Sequence, residues 1–294
     1  MPKIELDKKD LEKLVRKRFT LKELDEALLY IKGELEESDY DRIKVDIKDT
    51  NRPDLWSVEG IARELRGHYG IGKGLPKYNV KKGNINIKVE KVELIRPKIV
   101  AAIVKNLNFT GNFIVQMVQL QEKIAVSYGR KRKEAAIGIF DFDKVIPPIR
   151  YTTFRDSEIK FVPLDFTEEM SPKEILQRHA KGMEYGHLIK GDNFPILIDS
   201  KKNVLSMPPI IKSQYTGKVT EKTRNVFVDV TGWDLNLIST VLNVVVTAFA
   251  ERGGKIEAVN IIYPNKKIIT PQLKEKEIMI NPNDVRRFLG LKIN

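Results

Sequence analysis

The segment LNLISTVLNVVVTAFAERGG limits the possible folds of this chain more than any other stretch. Asp234 stands before it as a helix cap, and Gly253-Gly254 stop it. Its apolar residues run round most of a helical circumference, so it has little polar face to offer water. It reads as a central buried helix that other elements must cover. No run in the chain approaches the roughly 18 consecutive apolar residues of a membrane span.

The covering elements follow from local pattern. Asp7 caps a helix that runs to about Arg16. Thr20 and Glu23 form a capping box for a second helix, with Leu21, Leu24, Leu28 and Ile31 at helical spacing. Ile43, Val45 and Ile47 alternate with charged residues as in a half-buried strand. Ser57 caps a third helix carrying Val58, Ile61, Ala62, Leu65 and Tyr69. Gly70, Gly72, Gly74 and Pro76 then make a linker. Residues 1–76 therefore read as a small α+β module.

A larger mixed α/β module follows over 83–264. Strands are expected at 85–89, 99–104, 136–140, 195–198, 203–206, 225–230 and 255–263, with an amphipathic helix over 112–128. Ser171, Pro172 and Glu174 give a further helix its cap, first-turn proline and capping glutamate. Residues 266–294 begin again, with a strand expected at 277–280 and Asn283 as a helix cap. That tail is too short to bury a core and reads as the start of a third module.

The composition narrows the chemistry. There is no Cys among the 294 residues, so disulfides, thiolate nucleophiles and Cys-ligated metals are excluded. The three His residues, His68, His179 and His187, lie far apart without metal-binding spacing, so no metal site is expected. No nucleophile elbow, phosphate-binding loop or dinucleotide fingerprint is present. The N-terminus MPKIELDKKD lacks the apolar core of a secretory signal, and a cytoplasmic location is expected. Net charge is +12 and lies wholly after residue 80: zero over 1–80, +5 over 81–200 and +7 over 201–294. A basic surface of this kind attracts polyanions, of which nucleic acid is the commonest inside cells.

Several stretches carry unusual chemistry. In Asp49-Thr50-Asn51-Arg52-Pro53-Asp54-Leu55-Trp56-Ser57, Asp49 and Asp54 are placed to clamp Arg52. The basic run Arg130-Lys131-Arg132-Lys133 follows a helix end, where cations suit the dipole. Ser206 precedes Met207-Pro208-Pro209, a stiff turn at a strand end. Phe227, Asp229 and Thr231 share one face of their strand by period-two alternation. Each stretch also has a plain structural reading as a loop, a solvated charge run or a strand end.

Taken in order, DTNRPDLWS-EGIAREL, LQEKIAVSYGRKRKEAAIGIFDFDKV, EYGHLIK, VLSMPPII and TRNVFVDVTGWD resemble the archaeal/eukaryotic phenylalanyl-tRNA synthetase beta subunit over essentially the whole chain. The resemblance implies an N-terminal module, an editing module, and over 266–294 the opening of a DNA-binding-like domain. It implies hydrolysis of tyrosine wrongly attached to tRNA(Phe). The implied partners are tRNA(Phe) and the alpha subunit, in a heterotetramer of two alpha and two beta chains. ATP and magnesium belong to the full synthetase, and no cofactor is expected in this region. Asp229, Thr231 and Ser206 match the family pattern by position, and on their own chemistry they are expected to carry the reaction. Leu197, Ser206 and Pro208, at the ends of neighbouring strands, are expected at the pocket wall, and Gln121 and Glu122, with Arg132 just beyond their helix, are expected to position the terminal adenosine and the attacking water. Asp229 is expected to accept from the tyrosine hydroxyl or from the substrate ammonium. A non-catalytic RNA-binding or subunit-docking module, and a free-standing deacylase, are the alternative readings.

Overall fold

A computed structural model describes residues 3–39 and 41–291. The N-terminal part runs β1 (Lys3–Asp7), α1 (Lys8–Val15), α2 (Leu21–Leu29), β2 (Gly33–Ser38), β3 (Arg42–Ile47) and α3 (Val58–His68), with β3 central in a three-stranded sheet. The remainder runs β4 (Val80–Val89), β5 (Lys98–Lys105), α4 (Gly111–Val126), β6 (Ala135–Asp141), β7 (Ile149–Arg155), α5 (Pro172–Arg178), α6 (Ala180–Tyr185), β8 (Asn193–Ile198) and β9 (Val204–Met207). It continues through β10 (Ile211–Lys212), α7 (Gln214–Gly217), β11 (Val226–Gly232), α8 (Leu235–Glu251), β12 (Lys255–Ile262), β13 (Lys267–Thr270) and α9 (Pro282–Leu289).

The cap signals work as local physics requires. Asp7 accepts from Asp10 N, Ser57 from Gly60 N and Asp234 from Leu237 N. Thr20 with Glu23, and Ser171 with Glu174, make reciprocal capping boxes. Each side chain satisfies an amide that the first turn leaves without a helical partner.

The larger sheet has the order β10-β9-β8-β7-β4-β12-β5-β11-β6, with β13 beside β12. It is curled, and its two ends meet. Lys212 on β10 donates from Nζ to Ile139 O on the edge strand β6, at 3.1 Å. Inside the curl pack Ile99, Ala101, Ile103, Phe140, Tyr151, Phe227 and Ile261. On the outside Val226, Val228 and Val230 of β11 face α8, through Val241, Leu242 and Val245. That same outer core continues into Leu11, Leu24 and Ile61 of the N-terminal part. The apolar helix α8 is thus covered by the sheet on one side and by the N-terminal elements on the other, as its all-round hydrophobicity demands.

Several expectations are corrected. Strands β1, β2, β7 and β13 carry too many charged or hydroxyl side chains for an apolar pattern to reveal them. Residues 277–280 form no strand, and Ile278, Met279 and Ile280 are exposed. The last helix is capped by Asn281, with Pro282 in its first turn, not by Asn283. Ile31 follows α2 instead of extending it, because the helix ends at Leu29. Arg52 is held by Asp54 and Glu64, whereas Asp49 pairs with Lys32.

Candidate functional site

Alternation along β11 places Phe227, Asp229 and Thr231 toward the inside of the curl. Across the ladder Asp229 lies opposite Ala101 on β5 and Gly138 on β6, and Thr231 lies opposite Ile99 and Ala136. Gly138 is required here. A Cβ at that position would stand 2.2 Å from Asp229 Oδ1 and 2.5 Å from the Phe140 ring. Its missing side chain opens a cavity of about 330 Å³ where the ends of the sheet meet. Ligand pockets begin at about that size.

Seven of the eight side chains singled out from the sequence line this one cavity: Gln121, Glu122, Arg132, Ser206, Pro208, Asp229 and Thr231. They come from α4, the turn after it, the β9–β10 corner and β11. Leu197 does not belong with them. It is fully buried opposite Tyr151, packed with Leu205 and Phe227 in the filled part of the curl. A position at a strand end says nothing about how deep in the curl its side chain lies.

Arg132 builds one wall. It sits in a turn where Arg130, Lys131 and Arg132 all have positive φ, of 48°, 52° and 66°. Its guanidinium donates to Ile210 O at 2.9 Å and to Glu122 Oε1 at 3.1 Å, and lies 4.3 Å from the Tyr185 ring centroid. Gln121 Nε2 donates to Ile137 O at 3.3 Å. Pro208–Pro209 is a cis peptide, and both rings line the cavity.

The polar atoms at the bottom are unusual. Asp229 is 2% exposed and its Oδ1 has no hydrogen-bond partner among the described residues. Ser206 is 4% exposed and its Oγ also has none. Buried polar atoms in native proteins are nearly always paired, so two in one cavity call for an explanation. Burial pushes the Asp229 carboxyl up to about 7, against the pull of the Arg96 and Lys212 cations. Burial likewise brings the Lys212 ammonium down to about 8, with Asp229 opposing.

Four contributors gave no sequence signal that was read as functional: Arg96, Gly138, Lys212 and His179. A lone glycine inside the strand AAIGIF was the one available clue, since it marks a close approach. His179 caps α6. Its Nδ1 accepts from Lys181 N at 3.1 Å and its Nε2–H donates to Leu164 O at 3.0 Å. Both ring nitrogens are therefore occupied, although the ring lines the cavity. Among the described residues no group of three or more His, Asp or Glu side chains is placed to hold a metal ion. No described helix is long and apolar enough to cross a membrane.

With this geometry in place, likeness to known proteins becomes informative. The B3/4 domain family model matches residues 88–253, the stretch that supplies every residue of the cavity wall. The phenylalanine–tRNA ligase beta subunit of Pyrococcus horikoshii is 53% identical over 300 residues, covering all of this chain and 54% of that protein. The same subunit of Methanocaldococcus jannaschii is 43% identical, again over the whole chain and 54% of the relative. The chain thus spans about half the length of these curated relatives. A crystal structure of an N-terminal fragment of the phenylalanyl-tRNA synthetase beta-subunit from Pyrococcus horikoshii superposes with a TM-score of 0.97 at 51% identity, over 100% of this chain and 86% of that one. The chain belongs to the B3/4 domain family and matches the N-terminal region of phenylalanine–tRNA ligase beta subunits.

Proposed function

We propose that the cavity hydrolyses the ester of tyrosine wrongly joined to tRNA(Phe), as the editing site of a phenylalanine–tRNA ligase beta subunit. The observation that carries this reading is the pair of buried, unpartnered atoms Asp229 Oδ1 and Ser206 Oγ in one cavity. A tyrosine side chain brings the hydroxyl they lack. A phenylalanine would enter the same space and leave them unpaired, at a cost of about 1–3 kcal/mol per group. A synthetic pocket for phenylalanine rejects an added hydroxyl only modestly, so a second site that selects for it corrects the error.

In this reading Asp229 accepts from the phenol, and Ser206 and Thr231 complete the polar end. Gln121 and Glu122 position the water, while Arg132 and Lys212 offset charge on the carbonyl oxygen. Water adds to the ester carbon, the bond to the ribose oxygen breaks, and that oxygen takes up a proton. An aminoacyl ester is already reactive, so orientation supplies much of the rate. The exposed side chains of Arg130, Lys131 and Lys133 lie on the turn that carries Arg132, where the acceptor end of a tRNA would arrive. The alpha subunit and the remainder of a beta chain, as an α2β2 cytoplasmic synthetase using ATP and magnesium, would charge the tRNA elsewhere.

The test is hydrolysis of tyrosyl-tRNA(Phe) and phenylalanyl-tRNA(Phe) by this chain beside Asp229→Ala. Loss of tyrosine at least tenfold faster than of phenylalanine, abolished by the substitution, is expected. Equal rates for the two esters, or full activity in the variant, would reject the reading. Unchanged tRNA binding with no hydrolysis by either protein would favour a docking module.

A further inference from the structure

Among the described residues Arg96 is the one fully buried arginine, at 3% exposure, yet the proposed hydrolysis gives it no part. Among the described residues it forms no ion pair. Its partners are instead uncharged acceptors. Nε donates to Thr231 Oγ1 at 2.8 Å and Nη2 to Thr231 O at 2.6 Å. Nη2 also reaches Arg132 O at 3.1 Å, and Nη1 reaches Lys133 O at 3.1 Å. The backbone carbonyl of Arg96 is itself fixed by the buried Tyr151 hydroxyl at 2.9 Å. One planar fork thus spans two parts of the cavity that are more than ninety residues apart in sequence.

Two consequences follow from hydrogen-bond chemistry. A threonine hydroxyl has one proton and two lone pairs. Arg96 Nε–H takes up a lone pair, so the Thr231 proton is left to donate elsewhere. No protein acceptor receives it among the described hydrogen bonds, and Thr231 lines the cavity. Second, three successive non-glycine residues with positive φ are a strained run, which the amides of Arg130, Lys131 and Arg132 tie to Ser127, Val126 and Ala125 O at the end of α4. The Arg96 bonds to the Arg132 and Lys133 carbonyls add a second anchor at the far end of that turn, which fixes the backbone from which the Arg132 side chain starts.

We propose that Arg96 is the positioning residue of the cavity: it turns the Thr231 hydroxyl into a fixed donor toward bound substrate and clamps the turn that carries Arg132. The inference rests on the proposed hydrolysis for its kinetic consequences, but the clamp itself does not. The charged and titratable groups that face Arg96 are Tyr151, Asp229 and Glu134. Those that face Asp229 are Arg96 and Lys212. Arg96 therefore also helps to keep Asp229 ionised.

The test compares Arg96→Lys, Thr231→Val and the double variant in the full 294-residue chain. Lysine keeps the charge but cannot reproduce four bonds in a plane. Each single variant is expected to lower kcat for tyrosyl-tRNA(Phe) about 30-fold while KM changes less than twofold. The double variant should lose little more than Arg96→Lys alone, because Thr231→Val breaks a linkage that Arg96→Lys already breaks. Unchanged kcat in folded Arg96→Lys, or losses that multiply in the double variant, would overturn the proposal. A second readout needs no activity. The Arg96 Nε–H signal in a 15N spectrum should exchange slowly in the wild-type chain and shift in Thr231→Val. Fast exchange, or no shift, would overturn the clamp. A wild-type chain that hydrolyses nothing would instead reject the functional reading, with the spectrum still deciding the role of Arg96.

Discussion

Two buried polar regions of this molecule look alike in composition and differ in what they leave undone. The first joins the N-terminal elements to α8. Arg252 donates twice to Asp10, at 2.7 and 3.1 Å, and also to Glu59. Arg66 meets Glu251 and Leu14 O, Tyr78 Oη reaches Glu251 at 2.5 Å, and Arg63 meets Asp54 at 2.9 Å. Each of these carboxylates has a cation beside it. The second region is the cavity, where Asp229 Oδ1 and Ser206 Oγ have no partner. Burial of charge is common to both, so burial does not mark a site. Two unmet hydrogen bonds that open on one cavity do. Four other buried polar atoms also lack partners: Asp46 Oδ1, Trp56 Nε1, Asp141 Oδ1 and Asn243 Oδ1. They sit on four different elements; Asn243 and Trp56 each line a cavity, but among the described residues no cavity is lined by two of the four.

The comparison breaks most visibly at Arg252. Replacing it with alanine leaves Glu59, 3% exposed, without its cation. Loss of one member of a buried pair costs about 3–5 kcal/mol, which a urea unfolding curve will show. Hydrolysis per folded molecule should stay as in the wild-type chain.

Asp229→Asn should act in the opposite sense. In the folded chain the carboxyl holds its proton up to about 7. In the unfolded chain it releases that proton near the ordinary carboxylate value of about 4. Between these values the folded form binds more protons, so stability falls as pH rises through this window. The asparagine variant lacks that slope. It should gain up to about 4 kcal/mol at pH 8, with the gain gone below about pH 4, while hydrolysis is lost. Melting curves of both proteins across pH check this, and a difference between variant and wild type that does not grow from pH 4 to pH 8 would contradict the account.

A smaller effect is expected from filling the cavity. Gly138→Ala puts a methyl against Asp229 and Phe140, and hydrolysis should fall about 100-fold, or about 2.7 kcal/mol in the barrier. The pH–rate profile adds a finer check. Ionised Asp229 and charged Lys212 coexist best between about 7 and about 8, so kcat should peak there and fall on both sides. The smallest effect belongs to Arg52→Ala. That side chain is 39% exposed, and its loss should cost under about 1 kcal/mol with no change in hydrolysis.

How far the sequence could be read follows from the range of the interactions. Caps at Asp7, Thr20, Ser57, Ser171 and Asp234 depend on three or four neighbouring residues, and all of them formed. The alternation Phe227, Asp229, Thr231 is equally local and placed two cavity residues on the correct face. Closure of the sheet is not local. It brings Ile139 to Lys212 and Arg96 to Thr231, across 73 and 135 residues, and no periodicity encodes it. The same blindness misplaced Leu197, whose strand was read correctly but whose depth in the curl was not. Strand β7, IRYTTFR, escaped because a strand inside a curled sheet tolerates hydroxyl and charged residues that its neighbours cover.

The central claim is that the unpartnered atoms of the cavity, and not the paired charges of the α8 junction, recognise the substrate. The most direct measurement is the ratio of kcat/KM for tyrosyl-tRNA(Phe) over phenylalanyl-tRNA(Phe). It should be taken in the wild-type chain, in Ser206→Ala and in Arg52→Ala. The account predicts a ratio of at least ten that falls toward one in Ser206→Ala and stays unchanged in Arg52→Ala. A ratio that survives Ser206→Ala, or falls equally in both variants, would contradict it.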